Sequence, residues 1–439
     1  MNHIHHLFFS ITTFCTVISS TNLVSAQIVP DNTLPNNSQI KVEGNMTKIE
    51  GGTTAGSNLF HSFEKFGIST GNEAHFNNAV DINNIITRVT GKSISDIDGL
   101  IKANGTANLF LINPNGIVFG ENARLDIGGS FVGSTADSFQ FGDGLEFSAV
   151  NPDSKPLLSI NVPLGLQYGK NSGNILVKGD RQGVRKSSEI IDTQNALRVK
   201  SDKTLALIGG DINLEGATLK TGGGRIELGS VAAEGLVNLT AVEKGFSFDY
   251  DNVVGGNIDL SEQTAVDASG NGAGDIRVWG RNIKITDGSV IETSTLGSEN
   301  GESLVVNAQE SVEIIGTNDS QFTGLFAQVY SEATGNGGDL IVETNNFLVK
   351  DGAQVDASTF GKGKGGNLTI DATDIQIIGT SKDSQFISGL FASSQPNSTG
   401  DAGNLTITTN SLLVKDGAQV ISSTFGKGKG GNLTIDATD

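Results

Sequence analysis

The chain has almost no cysteine: a single one, Cys15, stands among 439 residues, inside an apolar segment at the N-terminus. Everything after that segment is therefore unable to form disulfide bonds, on which small exported scaffolds often depend. Proline is also scarce, with 7 residues against 58 glycines. That balance excludes a proline-rich disordered chain, and without a strict glycine repeat it excludes a collagen-like one.

Positive charge and histidine are in short supply as well. Lysine and arginine number 29 against 48 acidic residues, a net charge of −19, which excludes nucleic acid as a partner because phosphates are repelled. Only His61 and His75 follow the N-terminal segment, and no arginine follows Arg281. The last third of the chain therefore lacks histidine, the usual general base, and arginine, whose guanidinium group usually binds carboxylates and phosphates. We expect no enzymatic activity, no cofactor and no metal.

The N-terminus has the features of an export signal. An apolar run from Leu7 to Ile18 is too short to span a bilayer, which takes about 20 residues. Small residues at a typical cleavage site follow, ending in Ala26. We therefore predict a signal peptide over residues 1–26, cleaved between Ala26 and Gln27. No later run is long and apolar enough to predict stable membrane insertion.

Past residue 170 the sequence repeats. The fifteen residues 360–374 (FGKGKGGNLTIDATD) recur letter for letter at 425–439, an offset of 65. A shorter unit, Gly-(Asn/Asp)-apolar-x-apolar, recurs through the same region, with spacings of 37 and 28 in its last copies. It starts at Gly256, Gly274, Gly338, Gly366, Gly403 and Gly431. Internal repeats of this length indicate a solenoid or another repeat architecture.

Within each unit apolar and polar residues alternate with a period of two. Leu368 and Ile370 would face one side and Thr369 the other, as in a half-buried strand. Short strands bounded by Gly, Asn and Asp predict an all-β fold, a right-handed parallel β-helix in which alternate coils carry loops of two lengths. An asparagine ladder is expected at matched corners, formed by Asn257, Asn367, Asn404 and Asn432. The alternative, a β-propeller, fits the unequal spacings poorly.

The first half has a different composition. Ten of the 22 phenylalanines lie between Phe60 and Phe147. We interpret this part as a compact aromatic cap, since the open end of a solenoid exposes strand edges and apolar surface. The predicted domains are residues 27–250, with a motif-bearing core over 30–170, and a repetitive stalk over 251–439. The repeat is still in progress at Asp439, so we expect the stalk to be incomplete at its C-terminus.

Three stretches of this region are similar to a known family. They are residues 58–66 (NLFHSFEKF), 84–91 (NIITRVTG) and 107–120 (ANLFLINPNGIVFG). In this order they resemble the haemagglutination-activity, or two-partner secretion, domain of filamentous-haemagglutinin-type exoproteins, in the style of cyanobacterial members. The resemblance implies a β-helix and passage through the general secretory pathway. It also implies export by a β-barrel transporter of the two-partner type in the outer membrane, and a secreted or cell-surface location.

The residues that would carry the secretion motif lie in the second and third stretches. Asn113-Pro114-Asn115-Gly116 is a strong turn sequence before Ile117, because proline fixes φ at the second position and Asn-Gly tolerates positive φ. We expect the turn to stand out at a corner and offer its amides to a partner. The alternative is that it only sets the register of the cap, and the two roles are compatible. Asn84 and Arg88 of the second stretch complete the candidate set.

Three functions remain open at this point. The first is a surface exoprotein, an adhesin or a matrix-binding stalk whose ligand is a glycan or a protein. The second is a β-helical enzyme that processes polysaccharides, which would need clustered Asp with Arg or Lys on one face. The third is the delivery stalk of a contact-dependent toxin. His61 lies between apolar residues and is interpreted as a core histidine, and Asp96 and Asp98 are interpreted as parts of a turn.

Overall fold

A computed structural model describes residues 27–152, 158–183, 193, 195–317 and 321–439. The predicted signal peptide, with Ala26, lies outside the described residues. Within these residues every regular element is a β-strand, as predicted. The same residues contain no helix long and apolar enough to cross a membrane.

The described chain winds over three faces of a parallel β-helix. In the early coils each face has its own strand, whereas in most coils of the stalk one long strand, such as Asp275–Ile285, spans the first and second faces. In one coil the strands are Asn84–Val89 on the first face, Ser95–Ile97 on the second and Leu100–Ala103 on the third. The strands of the next coil pair with them in parallel, residue for residue: Asn108–Ile112, Ile117–Phe119 and Arg124–Asp126. The bend between the first and second faces is called the first corner below.

The strands fall into four sheets. The first and second faces share one sheet, with strands Val29–Pro30, Thr53–Ala55, Asn58–Lys65, Asn84–Val89, Ser95–Ile97, Asn108–Ile112, Ile117–Phe119, Phe131–Ser134, Ile175–Lys178, Thr204–Gly209, Ile212–Glu215, Arg225–Ser230, Asn257–Ser261, Asp275–Ile285, Leu304–Ile315, Leu340–Lys350, Leu368–Ile378, Leu405–Thr409, Ser411–Lys415 and Leu433–Ala437. The third face consists of two of the four sheets. The first of them comprises Ser38–Glu43, Met46–Gly51, Glu73–Phe76, Leu100–Ala103 and Arg124–Asp126. The second comprises Leu197–Arg198, Thr218–Lys220, Ala265–Asp267, Val290–Glu292, Gly324–Phe326, Gln354–Asp356, Gly389–Phe391 and Gln419–Ile421. An antiparallel sheet outside the coils comprises Ser138–Phe141, Glu146–Ser148, Pro163–Tyr168, Gly235–Val242 and Gly245–Asp249.

The alternation in the sequence builds the interior of the helix. Leu368 and Ile370 are fully buried, whereas Thr369 between them is half-buried and faces outward. Because neighbouring coils pair in register, Leu340, Leu368 and Leu405 stack directly on one another. Burying side chains of this size contributes about 1.5–3 kcal/mol each, so continuous apolar columns are the main favourable term for the stalk.

The two predicted loop lengths are confirmed and have a definite place. Stacked positions Leu340, Leu368, Leu405 and Leu433 give coils of 28, 37 and 28 residues. Most of the extra residues lie between the second and third faces, where the segment 379–388 replaces the three-residue turn 351–353 of the shorter coil. Loops of this kind on alternate coils meet across the coil between them, since the rings of Phe322 and Phe386 lie 4.7 Å apart.

The predicted asparagine ladder is partly wrong. Asn367, Asn404 and Asn432 do stack, with the Asn404 N–H donating to Asn367 Oδ1 at 3.1 Å and Asn432 Nδ2 to Asn404 Oδ1 at 3.3 Å. Asn257 belongs to a different column, where it pairs with Asn282 at 3.0 Å. The same short motif starts strands on both the first and the second face, so the sequence alone merges two ladders into one.

The expectation of a separate compact cap also needs correction. The aromatic-rich region is itself coiled, and Asn58–Lys65 already pairs in parallel with Asn84–Val89. The cap proper is an antiparallel hairpin, Ser38–Glu43 with Met46–Gly51, whose second strand leads into the third face through Glu73–Phe76. The hairpin therefore ends the third face, and the short strands Val29–Pro30 and Thr53–Ala55 end the first face by pairing antiparallel with Asn58–Lys65.

The aromatic residues serve a second core outside the coils. At the first corner of two coils the chain leaves the helix, over residues 135–174 and 231–256, and these excursions supply the antiparallel sheet. Its inner side packs on the outer side of the first face, burying Phe60, Phe110 and Phe139 among others. This is why Asn84–Val89 is buried on both sides, unlike the strands of the stalk.

Candidate functional site

The Asn-Pro-Asn-Gly sequence forms a turn at the first corner, as predicted. The Gly116 N–H donates to the Asn113 carbonyl at 3.1 Å, which closes a β-turn. Gly116 has φ 123°, a conformation that disfavours any residue with a Cβ. The turn joins Asn108–Ile112 to Ile117–Phe119, and in the following coil the same corner opens into the first excursion.

The expectation that the turn offers its amides outward is wrong for Asn113. Asn113 is fully buried, and its Nδ2 donates to the Ser93 carbonyl and to Ser95 Oγ, both at 3.0 Å. Its Oδ1 accepts from the Asn115 main-chain N–H at 3.0 Å. Asn115 is exposed, but its Nδ2 donates to the Gly91 carbonyl at 2.8 Å. Both amides thus satisfy polar groups of the preceding coil, which would otherwise lack partners in the stack.

The turn also holds the end of the first excursion. The Gly173 N–H donates to the Pro114 carbonyl at 2.8 Å, and the Ile117 N–H donates to the Asn174 carbonyl at 3.1 Å. A Cβ on Gly173 would lie 2.3 Å from the Asn115 carbonyl carbon, so only glycine fits there. Ile117 itself is buried, in register between Ser95 and Ile175. The turn therefore locks one corner to the coils on both sides.

Asn84 belongs to a ladder that opens the first-face strands. Its Nδ2 donates to Asn58 Oδ1 at 2.9 Å, and its Oδ1 accepts from Asn108 Nδ2 at 2.9 Å. Asn108 Oδ1 then accepts from the Ser130 N–H at 2.9 Å. At the other end, Asn58 Nδ2 donates to two carbonyls of the excursion, those of Ser159 and Asn161. Asn84 thus links neighbouring coils, and both its Nδ2 and its Oδ1 are already hydrogen-bonded within the chain.

Arg88 is an almost completely buried residue on the first face. Its guanidinium donates to Ser62 Oγ in the neighbouring coil at 2.9 Å and to Thr33 Oγ1 at 2.8 Å. It also donates to the Ser148 carbonyl at 2.5 Å and lies over the Phe147 ring at 4.3 Å. One side chain therefore connects a neighbouring coil, the segment that carries Thr33 and the excursion. It does so through the several N–H groups of its planar guanidinium, which lysine lacks.

A carboxylate that the sequence did not single out completes this network. Asp31 accepts from Ser62 Oγ, Thr90 Oγ1 and Thr33 Oγ1, each at 2.7 Å. Burial raises its pKa, but the hydroxyl hydrogen bonds outweigh burial, so the pKa of Asp31 is lowered and the carboxylate stays charged. No sequence motif marks Asp31 or Ser148, because only folding brings these distant residues into the hydrogen-bond network of Arg88.

The remaining candidates for chemistry have structural partners. His61 is buried beside Phe63 and Phe76 and shares a hydrogen bond of 3.0 Å with Ser38 Oγ, which confirms a core histidine. Burial lowers its pKa to about 3, so its ring is neutral at physiological pH. Asp98 is held by Thr70 and Asn122 in an open groove. Among the described residues, no group of three His, Cys, Asp or Glu side chains is arranged to hold a metal ion.

Comparison with known proteins finds a protein family and solved structures that match this chain. The model of the TPS secretion domain family matches residues 26–278. The crystal structure of the HMW1 secretion domain from Haemophilus influenzae superposes with a TM-score of 0.60 at 19% identity, covering 93% of this chain and 100% of that one. For the filamentous hemagglutinin secretion domain the score is 0.31 at 12% identity, with 93% and 99% covered. No curated protein matches the sequence. Since the family model matches more than half of the chain, this protein belongs to the TPS secretion domain family and is an exoprotein of two-partner secretion, exported by a partner transporter in the outer membrane.

Proposed function

We propose that the partner is a β-barrel transporter that reads residues 107–120 while the chain is still unfolded. The burial of Asn113 carries this proposal, because in the folded protein its amide is consumed by Ser93 and Ser95. In an unfolded chain the same amide is exposed to a partner. Recognition and folding then use the same side chains at different times, which reconciles the two roles considered for the turn.

The export route begins with the signal peptide over residues 1–26. Gln27, the first residue after the proposed cleavage site, is exposed, as a processed terminus would be. The division into a secretion domain over 27–250 and a stalk over 251–439 is supported by the last antiparallel strand, Gly245–Asp249, after which coils follow one plan. The family match reaches slightly further, to residue 278.

The mature chain acts at the cell surface as an adhesin or matrix-binding stalk, without catalysis. Supporting this role, the outer side of the first face repeats one residue type over successive coils, with Thr369, Thr406 and Thr434 in register. On the second face, Asn346, Asp374 and Ser411 form a similar polar column. Regularly spaced hydroxyl and amide groups suit many weak contacts to a glycan or an extended protein, and such contacts add through multivalency.

The transporter proposal is tested by separating recognition from folding. Asn113→Ala removes the turn amide, and the control Asn58→Ala removes an asparagine of the ladder that lies outside residues 107–120. Each variant is co-produced with the partner transporter, and the exported fraction is compared with the unfolding free energy of the purified chain. Export should fall further for Asn113→Ala than its loss of stability explains. Equal loss of export at equal loss of stability would show that the turn acts through folding alone.

The surface role is tested with the purified chain on arrays of glycans and matrix proteins. Binding that weakens when Thr369 and Thr406 are replaced together by lysine, with the fold retained, is expected. The same chain is incubated with acidic polysaccharides as a check on the enzymatic alternative. New reducing ends there would contradict a non-catalytic stalk.

A further inference from the structure

Three titratable residues form a column on the third face, outside the sites described so far. Lys220, Asp267 and Glu292 are the last residues of Thr218–Lys220, Ala265–Asp267 and Val290–Glu292. These strands are successive neighbours, and the three residues are register partners. Their main chains therefore stand about 4.8 Å apart from coil to coil, within side-chain reach.

The column is enclosed. The side chain of Lys220 is 11% exposed and that of Asp267 is 1% exposed, and the Lys220 Nζ pairs directly with Asp267 Oδ2. The Ser269 N–H donates to Asp267 Oδ1 at 2.8 Å, which fixes the carboxyl group. Glu292, also buried, is oriented by Ser294 Oγ at 2.8 Å and Tyr330 OH at 2.9 Å, which both donate to its Oε1.

The charge of this column makes the Asp267 carboxyl group easier to protonate than in water. Two carboxylates and one ammonium ion would leave an excess negative charge away from water, and protonation of one carboxylate removes it. Burial, opposed by the charge of Lys220 and reinforced by that of Glu292, raises the pKa of Asp267 to about 6. A neutral carboxyl group beside a buried amine is the pair from which an amide forms.

We propose that Lys220 and Asp267 condense into an intramolecular amide crosslink, with Glu292 as the proton carrier. The Lys220 ammonium group passes one proton to the Asp267 carboxylate, and the Nζ made neutral in this way attacks Cγ of the resulting carboxyl group. The new Nζ–Cγ bond forms, the Cγ–OH bond breaks, and a proton from the amine reaches the leaving hydroxyl through Glu292. One water molecule is released, and no oxidant or other reagent is consumed.

The crosslink would form only after folding, because the column exists only when the three coils are stacked. It would give this chain, which has no cysteine after Cys15, a covalent tie between neighbouring coils. An exposed ion pair elsewhere supplies a contrast: Lys362 and Glu332 lie 2.8 Å apart with side chains 56% and 82% exposed. Water surrounds that pair and stabilises both charges, so no amide should form there.

The test is peptide mass mapping of the full folded chain after trypsin digestion. A crosslinked Lys220 resists cleavage, so residues 204–225 and 245–277 should appear as one branched peptide, lighter than their sum by one water molecule. Lys220→Arg keeps the positive charge and should abolish the branched peptide in a chain that circular dichroism shows to be folded. Glu292→Gln should slow its appearance during refolding. Only separate, unlinked peptides from the folded wild-type chain would overturn the crosslink, and formation at the wild-type rate in Glu292→Gln would overturn the role of Glu292.

Discussion

Asn84 Nδ2 donates to Asn58 Oδ1 at 2.9 Å, so the two coils that carry these residues are joined by a hydrogen bond between side-chain amides as well as by their strands. Asn108 repeats the bond one coil later. Such ladders align coils in a single register, because a shift of one residue along a strand turns every side chain to the other face. The ladder thus helps to fix the stacking of the secretion domain.

Removal of the central amide should cost stability. Asn84→Ala breaks one buried and one partly buried hydrogen bond and leaves Asn58 Oδ1 without this donor, for an expected loss of about 1–3 kcal/mol in the free energy of unfolding. Asn345→Ala is the matched control, since Asn345 donates to the Gln309 carbonyl at the surface. Urea unfolding measures both variants. A loss for Asn84→Ala no greater than that for the control would contradict a structural ladder.

Arg88 should not be replaceable by lysine. Arg88→Lys keeps the charge but cannot reach Ser62, Thr33 and the Ser148 carbonyl at once, so we expect a loss of about 1.5–3 kcal/mol. Arg181→Lys is the control, because Arg181 pairs with Glu262 on the surface and such pairs contribute less than about 1 kcal/mol. Denaturant unfolding compares the two losses. Similar values would mean that the guanidinium geometry is unimportant.

Glu227 should make stability depend on pH. It is fully buried, and its Oε1 accepts from Tyr250 OH at 2.9 Å. Burial, opposed by the charge of Arg277 and by this hydrogen bond, raises its pKa from 4.5 to about 8. The folded state therefore holds a proton that the unfolded state loses above pH 4.5, and stability falls as pH rises from about 4.5 to about 8.

The variant Glu227→Gln removes this titration. At pH 8 it should be more stable than the wild-type chain by about 2–4 kcal/mol, and the difference should shrink toward pH 5. Thermal unfolding over this pH range measures the effect, with the exposed Glu299→Gln as a control that changes neither value nor slope. An unchanged slope in Glu227→Gln would show that folding does not raise the pKa of Glu227.

The aromatic contact between alternate coils should stabilise the long loops. Phe386→Ala removes the ring that meets Phe322, for an expected loss of about 1–2 kcal/mol and faster protease cleavage within 379–388. Phe360, whose side chain is 40% exposed, supplies the control Phe360→Ala. Limited proteolysis distinguishes them. Equal cleavage of the two variants would mean that the loops are held by their main chain alone.

The sequence predicted what depends on local alternation and failed where distant segments meet. The inward positions of Leu368 and Ile370, and the coil lengths, follow from a period of two and from the repeat spacing. The role of Arg88 could not be predicted, since Ser148 lies 60 residues away in an excursion that interrupts the repeat. Asn113 was expected outside because turns usually lie at the surface. Here the corner is buried by the return of the excursion at Gly173.

The proposed recognition by the transporter requires that the chain cross the periplasm unfolded and coil only after export. The direct measurement is a pulse-chase experiment that compares the protease resistance of the periplasmic and the exported chain. We expect the periplasmic chain to be digested rapidly and the exported chain to resist. A protease-resistant periplasmic chain that is afterwards exported intact would contradict the account.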